Sequence, residues 1–217
     1  MSAAGDWRLV HEDEALLVVD KPAGLLAVPG RGADKQDCLA ARVQARFADA
    51  RVVHRLDQAT SGLMLFARGP AMQRRLSAAF EQREIGKRYV AVVAGRLPEA
   101  EGRLDAPLAA DWPNRPRQRV DLDAGKPALT LWWRSGVDGG GGNGIGRSRV
   151  ELEPHTGRTH QLRVHLAALG HPILGDTLYA PPAVQALAPR LLLHACRLTL
   201  VHPTQPLALC FESAVPF

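Results

Sequence analysis

Short apolar runs, each closed off by Gly, Pro or charged residues, set the rhythm of this chain. Residues 8–11 and 15–19 read as two strands around the acidic turn Glu12-Asp13-Glu14. Residues 21–30 hold two prolines and two glycines, which predicts a shaped, extended loop. Asp37 is placed to cap a helix on which Leu39, Val43 and Phe47 share one face. A β-prone run at 51–53 and an apolar run at 63–67 then bracket a polar loop. The spacing of Met72, Leu76, Ala79 and Phe80 predicts a helix over 70–83, with Pro70 in its first turn and Gly86 as its stop. Residues 87–95 follow as a strand, apolar on both faces after Arg88 and therefore central in a sheet.

The pattern weakens over residues 96–127, which are rich in Pro and Arg and read as an exposed loop. Strands are expected at 129–133 and 147–153, flanking a glycine run at 136–146 that reads as a hairpin tip. Thr156 can cap a helix over 158–169, with Leu162, His165, Leu166 and Leu169 on one face and Gly170 ending it. Turn residues fill 171–176, and the last β-prone runs lie at 191–201 and 207–211. No repeat and no clear break divides the chain. Strands and a few helices without strict alternation predict an α+β fold in a single domain, 1–217, on a mixed, largely antiparallel sheet with flanking helices and a central cleft.

Composition narrows the class. With 217 residues, 46% hydrophobic and 23% charged, the chain can bury a substantial core and reads as globular. No apolar run approaches the roughly 18 residues that span a bilayer, and residues 1–7 lack the apolar core of a signal peptide. A cytoplasmic location and no membrane partner are the expectation. Cys38, Cys196 and Cys210 are scattered and form no CxxC pair, so they read as reduced, buried small hydrophobes. The net charge is +5, carried by 23 Arg against 4 Lys. Arginine forks onto phosphate and stacks on bases, which suits a nucleic-acid partner; a codon preference for Arg would look the same.

The polar loop between the strands at 51–53 and 63–67 concentrates the candidate chemistry. His54-Arg55-Leu56-Asp57-Gln58-Ala59-Thr60-Ser61-Gly62 packs an acid, a base, a cation and two hydroxyls into nine residues. Its order differs from the His-Arg-Asp of kinase catalytic loops, and no phosphate loop precedes it. Gly139, Gly141 and Gly144 satisfy GxGxxG but lie between two strands, which argues against a dinucleotide site. His155, His160 and His165 are spaced by five. That spacing turns successive side chains by about 140° on a helix and does not suit a metal. No metal is expected.

Four stretches together resemble the RluA family of pseudouridine synthases: Lys21-Pro22-Ala23-Gly24-Leu25, His54-Arg55-Leu56-Asp57 with Thr60-Ser61-Gly62, Lys87-Arg88-Tyr89-Val90-Ala91, and the run from Gly157 to His165. They stand in the family's order across nearly the whole chain. Residues 24–31, 111–116 and 168–176 carry a finer likeness to its dual-specificity members, which act on 23S rRNA and tRNA. The resemblance to those members, which lack an S4-type RNA-binding domain, implies none before the catalytic part. The resemblance implies the pseudouridine synthase catalytic fold, a monomer, no cofactor, and stem-loops of tRNA and 23S rRNA as partners.

It also implies an isomerisation in which a uridine's glycosidic bond breaks, the uracil turns, and C5 joins the same sugar carbon. A carboxylate must face C1′ and C2′, and Asp57 is the only acid of the focal loop. It can attack C1′ or take the C2′ proton, and the sequence leaves both paths open. By resemblance Arg158 pairs with that carboxylate, Tyr89 stacks on the target base, Arg55 fills the gap left by the extruded nucleotide, and His54 beside it is a candidate RNA contact. Leu162 is a candidate to line the uracil pocket, against a plain core leucine. Arg115, Arg117 and Arg119 are candidates for backbone contacts, against a merely solvated loop. Two rivals remain at this point: an RNA-binding or chaperone module that has lost the chemistry, and a glycosylase that releases free uracil.

Overall fold

The computed structural model describes residues 6–138 and 146–217. Most of the glycine run, including Gly139, Gly141 and Gly144, therefore lies outside the described residues. In chain order the strands and helices are β1 (Arg8–Glu12), β2 (Leu16–Lys21), α1 (Leu39–Arg46), β3 (Ala50–Val52), β4 (Ser61–Arg68), α2 (Gly69–Glu81), β5 (Gly86–Ala94), β6 (Glu101–Asp105), β7 (Leu108–Ala110), β8 (Gln118–Val120), β9 (Leu129–Asp138), β10 (Arg147–Pro154), α3 (Gln161–Ala168), α4 (Pro182–Gln185), β11 (Leu193–Val201) and β12 (Ala208–Glu212). The fold is α+β with mixed strand pairing. Two compact units divide it, one of residues 6–87 and 194–216, the other of 88–193 with Phe217. Among the described residues no helix is long and apolar enough to cross a membrane.

In the first unit β2 and β4 pair antiparallel, Leu16 opposite Ala67 through Lys21 opposite Gly62. Both strands are apolar on both faces because both faces are covered. Leu17, Val19, Met64 and Phe66 share a buried cluster with Leu39, Ala40 and Val43 of α1. Leu16, Val18, Leu63, Leu65 and Ala67 share another with Leu76 of α2 and with Leu198 and Leu200 of β11. The far edge of β4 is divided: β3 runs antiparallel along Phe66–Arg68, and β11 runs parallel along Ser61 and Gly62.

Three local expectations need correction here. Cys38, not Asp37, stands at the cap of α1, its Sγ accepting from Ala41 N–H at 3.4 Å. Asp37 instead takes a forked pair from Arg42, at 2.7 and 2.8 Å. Gly86 does not stop α2 but opens β5; the helix closes on Arg83, which takes the left-handed conformation at φ 62°. Only Cys38 of the three cysteines is buried, Cys196 being half-buried and Cys210 exposed on β12.

In the second unit the order is β5, β10, β9, β6, all antiparallel. Residues 96–127 are not one loop, for they carry β6 and the hairpin of β7 with β8. The pattern missed them because β6 alternates exposed and half-buried residues without an apolar run, and β7 and β8 have three residues each. The last helix of the sequence reading starts later than expected, at Gln161. Its first six residues are all buried, so it shows no amphipathic stripe. Gly170 ends it at φ 87°, as expected.

Candidate active site

The focal loop hangs between β3 and β4, and its backing is apolar. Leu63 to Ala67 are fully buried, so the strand that follows the loop cannot shift without exposing core. His54 is bound into this base. Its Nε2 accepts the Leu65 N–H at 2.9 Å, and its ring packs on Phe80 with centroids 4.5 Å apart. Burial, then the charge of Lys87, push its pKa down to about 3. An imidazole that accepts a backbone N–H at Nε2 is neutral and carries its proton on Nδ1. Leu56 is buried below the loop, and a turn closes it through Thr60 N–H to Asp57 O at 3.1 Å. Asp57 is half-exposed and Arg55 exposed. Among the described residues the Arg55 guanidinium makes no hydrogen bond or ion pair.

A residue that sequence reasoning left without a role supports the turn from beneath. The Lys21 side chain is 0% exposed. Its ammonium donates to Pro22 O (2.9 Å), Leu25 O (2.9 Å) and Gln58 O (3.1 Å). Gly24 N–H donates to Gln58 O at 2.8 Å, and Gln58 Nε2 returns a bond to Gly24 O at 3.0 Å. The loop after β2 is thus laced to the turn carrying Asp57. Burial pulls the Lys21 pKa down to about 7, against the opposing pull of Asp57's charge. Leu17, Val19 and Lys21 share one face of β2 by the strand's period of two, but both faces are covered, so that period alone did not mark Lys21 as buried.

Two effects compete when Lys21 becomes methionine. A buried charge disappears, which stabilises, while the Pro22 and Leu25 carbonyls lose their donor at about 1–3 kcal/mol each. We expect a net loss of about 2 kcal/mol, and with it a changed pH profile. The unfolded lysine keeps its proton up to 10.5, whereas the folded one releases it near 7. Across that window the unfolded state binds more protons, so this group's contribution makes stability rise with pH. Urea unfolding at several pH values should show that rise in the parent and not in Lys21→Met. Equal slopes in the two proteins would remove Lys21 as its source.

The far end of the loop is fixed by β11. Gly62 sits at φ 114°, and a Cβ there would lie 2.3 Å from Ala195 O. Only glycine allows so close an approach. Beside it, Ser61 Oγ meets His194 Nδ1 at 2.9 Å, and His194 Nε2 meets Ser213 Oγ at 3.1 Å. Ser213 donates to the Asp20 carboxylate, which also takes Arg8 at 3.1 Å. Because Ser213 spends its proton on Asp20, it can only accept from His194 Nε2–H.

The remaining candidates lie in the second unit. Tyr89 is on β5, half-buried and opposite Leu152 of β10. Arg158 precedes α3 in a loop instead of opening the helix, and its exposed side chain donates through Nε to Pro127 O at 3.0 Å. Gln161 holds that loop. Its Oε1 accepts from Thr156 Oγ1 (2.7 Å) and Arg158 N–H (3.0 Å), and its Nε2 donates to Leu129 O and Thr130 Oγ1, both at 3.0 Å. Thr156 therefore braces the loop and does not cap a helix. Leu162 is buried in α3. Arg163, also in α3, makes a buried fork with Asp176 at 2.7 and 2.8 Å, a pair the sequence reading did not see.

The three evenly spaced histidines go to separate tasks. His155 faces Glu153 at 3.2 Å, and His160 Nδ1 meets Tyr179 OH at 2.7 Å. His165 bridges Thr130 Oγ1 (2.9 Å) and Ala106 O (3.0 Å). Arg115 and Arg117 of the β7–β8 connection and Arg119 of β8 are all exposed but not alike. Arg115 lies over the ring of Trp112, 3.3 Å from its centroid, and that ring is itself 67% exposed. Arg117 lies 5.5 Å from the Tyr179 centroid, and Arg119 pairs with Asp121 at 2.9 Å.

Comparison with known proteins gives the chain's family. The profile of the RNA pseudouridylate synthase family matches residues 15–168. The dual-specificity RNA pseudouridine synthase RluA of Escherichia coli K12 is 47% identical over 209 residues, covering 96% of this chain and 93% of that protein. Its counterpart in Pasteurella multocida is 46% identical over 214 residues, with the same two coverages. Among solved structures, the human RNA pseudouridylate synthase domain containing 1 superposes with a TM-score of 0.79 at 29% identity, over 96% of this chain and 84% of that one. On sequence along nearly its full length and on fold, the chain belongs to the RluA family of RNA pseudouridine synthases, which are isomerases.

Proposed function

We propose that this protein converts uridine to pseudouridine in the tRNA anticodon stem-loop and in a 23S rRNA stem-loop, working in the cytoplasm. The observation that carries the reading is the loop at 54–60. A half-exposed carboxylate stands there on a turn braced by a buried cation, with an unengaged guanidinium two residues away. Asp57 is the group that acts at C1′ or C2′ of the target. Arg55 takes the place of the extruded base, whose unstacking costs a few kcal/mol. Tyr89 and Arg158 keep the roles that the family resemblance gives them, a ring for the target base and a cationic partner for the carboxylate. Arg115, stacked on an exposed indole, suits the backbone of an RNA arm. The dual specificity in the name of the Escherichia coli relative supports two RNA classes as substrates.

Stem-loops of each kind, labelled with tritium at uracil C5, test this directly. The C5 hydrogen must leave if C5 becomes the point of attachment. Tritium release with no free uracil is the expected result. Free uracil would identify a glycosylase, and tight binding without release an inactive RNA-binding module; either overturns the proposal.

A further inference from the structure

Arg83 and Lys87 form a cationic pair beside the focal loop to which no role has been given. Arg83 follows α2 in the left-handed conformation, φ 62°, at a position where glycine or asparagine is favoured. Its backbone is tied in place, with Arg83 N–H to Phe80 O at 3.2 Å and Glu84 N–H to Ala79 O at 2.9 Å. A long charged side chain kept at a strained position points to a task for that side chain. Four residues on, Lys87 is half-buried at the start of β5. Its ammonium rides over the Phe80 ring, 5.8 Å from the centroid, and the other ring against Phe80 is that of His54. His54 is anchored in turn on Leu65 N–H. A rigid chain of contacts therefore runs from Lys87 to the loop that carries Arg55 and Asp57.

Neither cation is neutralised. Among the described residues neither makes an ion pair with an acid, and neither side chain makes a hydrogen bond. Burial, and then the like charge of Arg83, both lower the pKa of Lys87. The free protein thus holds two mutually repelling charges, one of them partly dehydrated, where an anion would relieve both costs. The pairs elsewhere in this unit show the contrast: Arg42 has Asp37, Arg68 has Asp49, and Arg197 has Glu212.

We propose that Arg83 and Lys87 are a phosphate-binding pair that grips the RNA strand carrying the target uridine, next to the loop that turns the base out. The inference rests on the RNA-isomerase reading above. It adds a backbone contact in the first unit, separate from the arginines of the β7–β8 connection. A backbone grip adds affinity without reading sequence, and it resists the strand's recoil while the nucleotide is unstacked.

The test is the salt dependence of binding to a labelled tRNA anticodon stem-loop. Each lost phosphate contact should lower the slope of log K against log salt by about 0.7 to 0.9. We expect that loss in Lys87→Gln and in Arg83→Gly, alike for matched and scrambled loops. Lys87→Arg, which keeps the charge, should retain the parent slope, as should Arg46→Gln on α1, away from the pair. Arg83→Gly also guards against misfolding as an explanation, because relief of the left-handed strain should raise its denaturation midpoint while its RNA slope falls. Parent slopes in both Lys87→Gln and Arg83→Gly, with the parent protein still converting uridine, would overturn the phosphate pair alone. A parent protein that converts no uridine would instead overturn the reading on which the pair rests.

Discussion

Asp57→Asn is expected to lower uridine turnover by about 10⁴-fold, the upper range for a positioned acid or base. Asparagine has nearly the same shape, and the Thr60 N–H to residue 57 carbonyl bond that forms the turn is a backbone bond, so the loop keeps its form. On the proposed reading the nucleophile or base is lost on either chemical path. RNA binding should be no weaker, since a negative charge has been removed from a surface that meets phosphates. The substitution has a second effect that can be read separately. Asp57's charge is what opposes the lowering of the Lys21 pKa, so in the variant that value should fall below about 7. Single-turnover tritium release with the protein in excess measures the first effect, and the pH dependence of unfolding the second. An asparagine variant that turns over at close to the parent rate would show that this carboxylate is not the reacting group.

Arg163→Met is expected to cost about 3–5 kcal/mol of stability, a large part of the 5–15 kcal/mol typical of a folded domain. The pair it breaks is among the most buried polar features of the second unit, with side chains 4% and 1% exposed. The geometry is the planar fork of guanidinium on carboxylate. Asp176 also accepts Leu178 N–H at 2.9 Å and Tyr179 N–H at 3.2 Å through the oxygen that takes Arg163 Nη2. Replacing both partners by apolar residues of similar size is often neutral for a simple buried pair. Here it should not be, because those two backbone donors would lose their acceptor at about 1–3 kcal/mol each. The damage should spread to the β7–β8 hairpin, since Tyr179 OH accepts Gln118 N–H at 2.8 Å. Urea denaturation gives the loss, and hydrogen exchange at Gln118 its reach. An unchanged midpoint in Arg163→Met would mean that the pair contributes nothing net.

What the sequence disclosed and what it hid follow from where each interaction lies along the chain. The run 63–67 was legible as an unbroken apolar stretch, and the stripe through Leu76 by its helical spacing. The loop at 54–60 was legible because turn residues bracket a dense set of reactive groups. Strands β7 and β8 were not, being too short to show a period and stable only as a pair. The cap of α1 was misplaced by one residue because Asp37 has a better partner in Arg42. The Arg163–Asp176 pair and the Ser61–His194 bond were invisible for another reason. Each joins residues distant along the chain that say nothing of one another until the backbone has folded. Lys21 lies between these cases: it ends an apolar strand, but a lysine is not read as buried unless a ring of carbonyls is known to await it.

The parallel seam between β4 and β11 has a consequence for how the protein comes into being. Ser61 and His194 are 133 positions apart. A ribosome adding about 5–20 residues per second completes that interval in on the order of ten seconds. For much of that delay the loop at 54–60 is outside the exit tunnel, while the strand that seats its trailing end has not been translated. A nascent chain therefore carries Asp57 long before the seam that anchors its loop can form. The loop is seated only at the close of synthesis, so a message cut short before codon 194 yields a product in which residues 61 and 62 have no β11 partner.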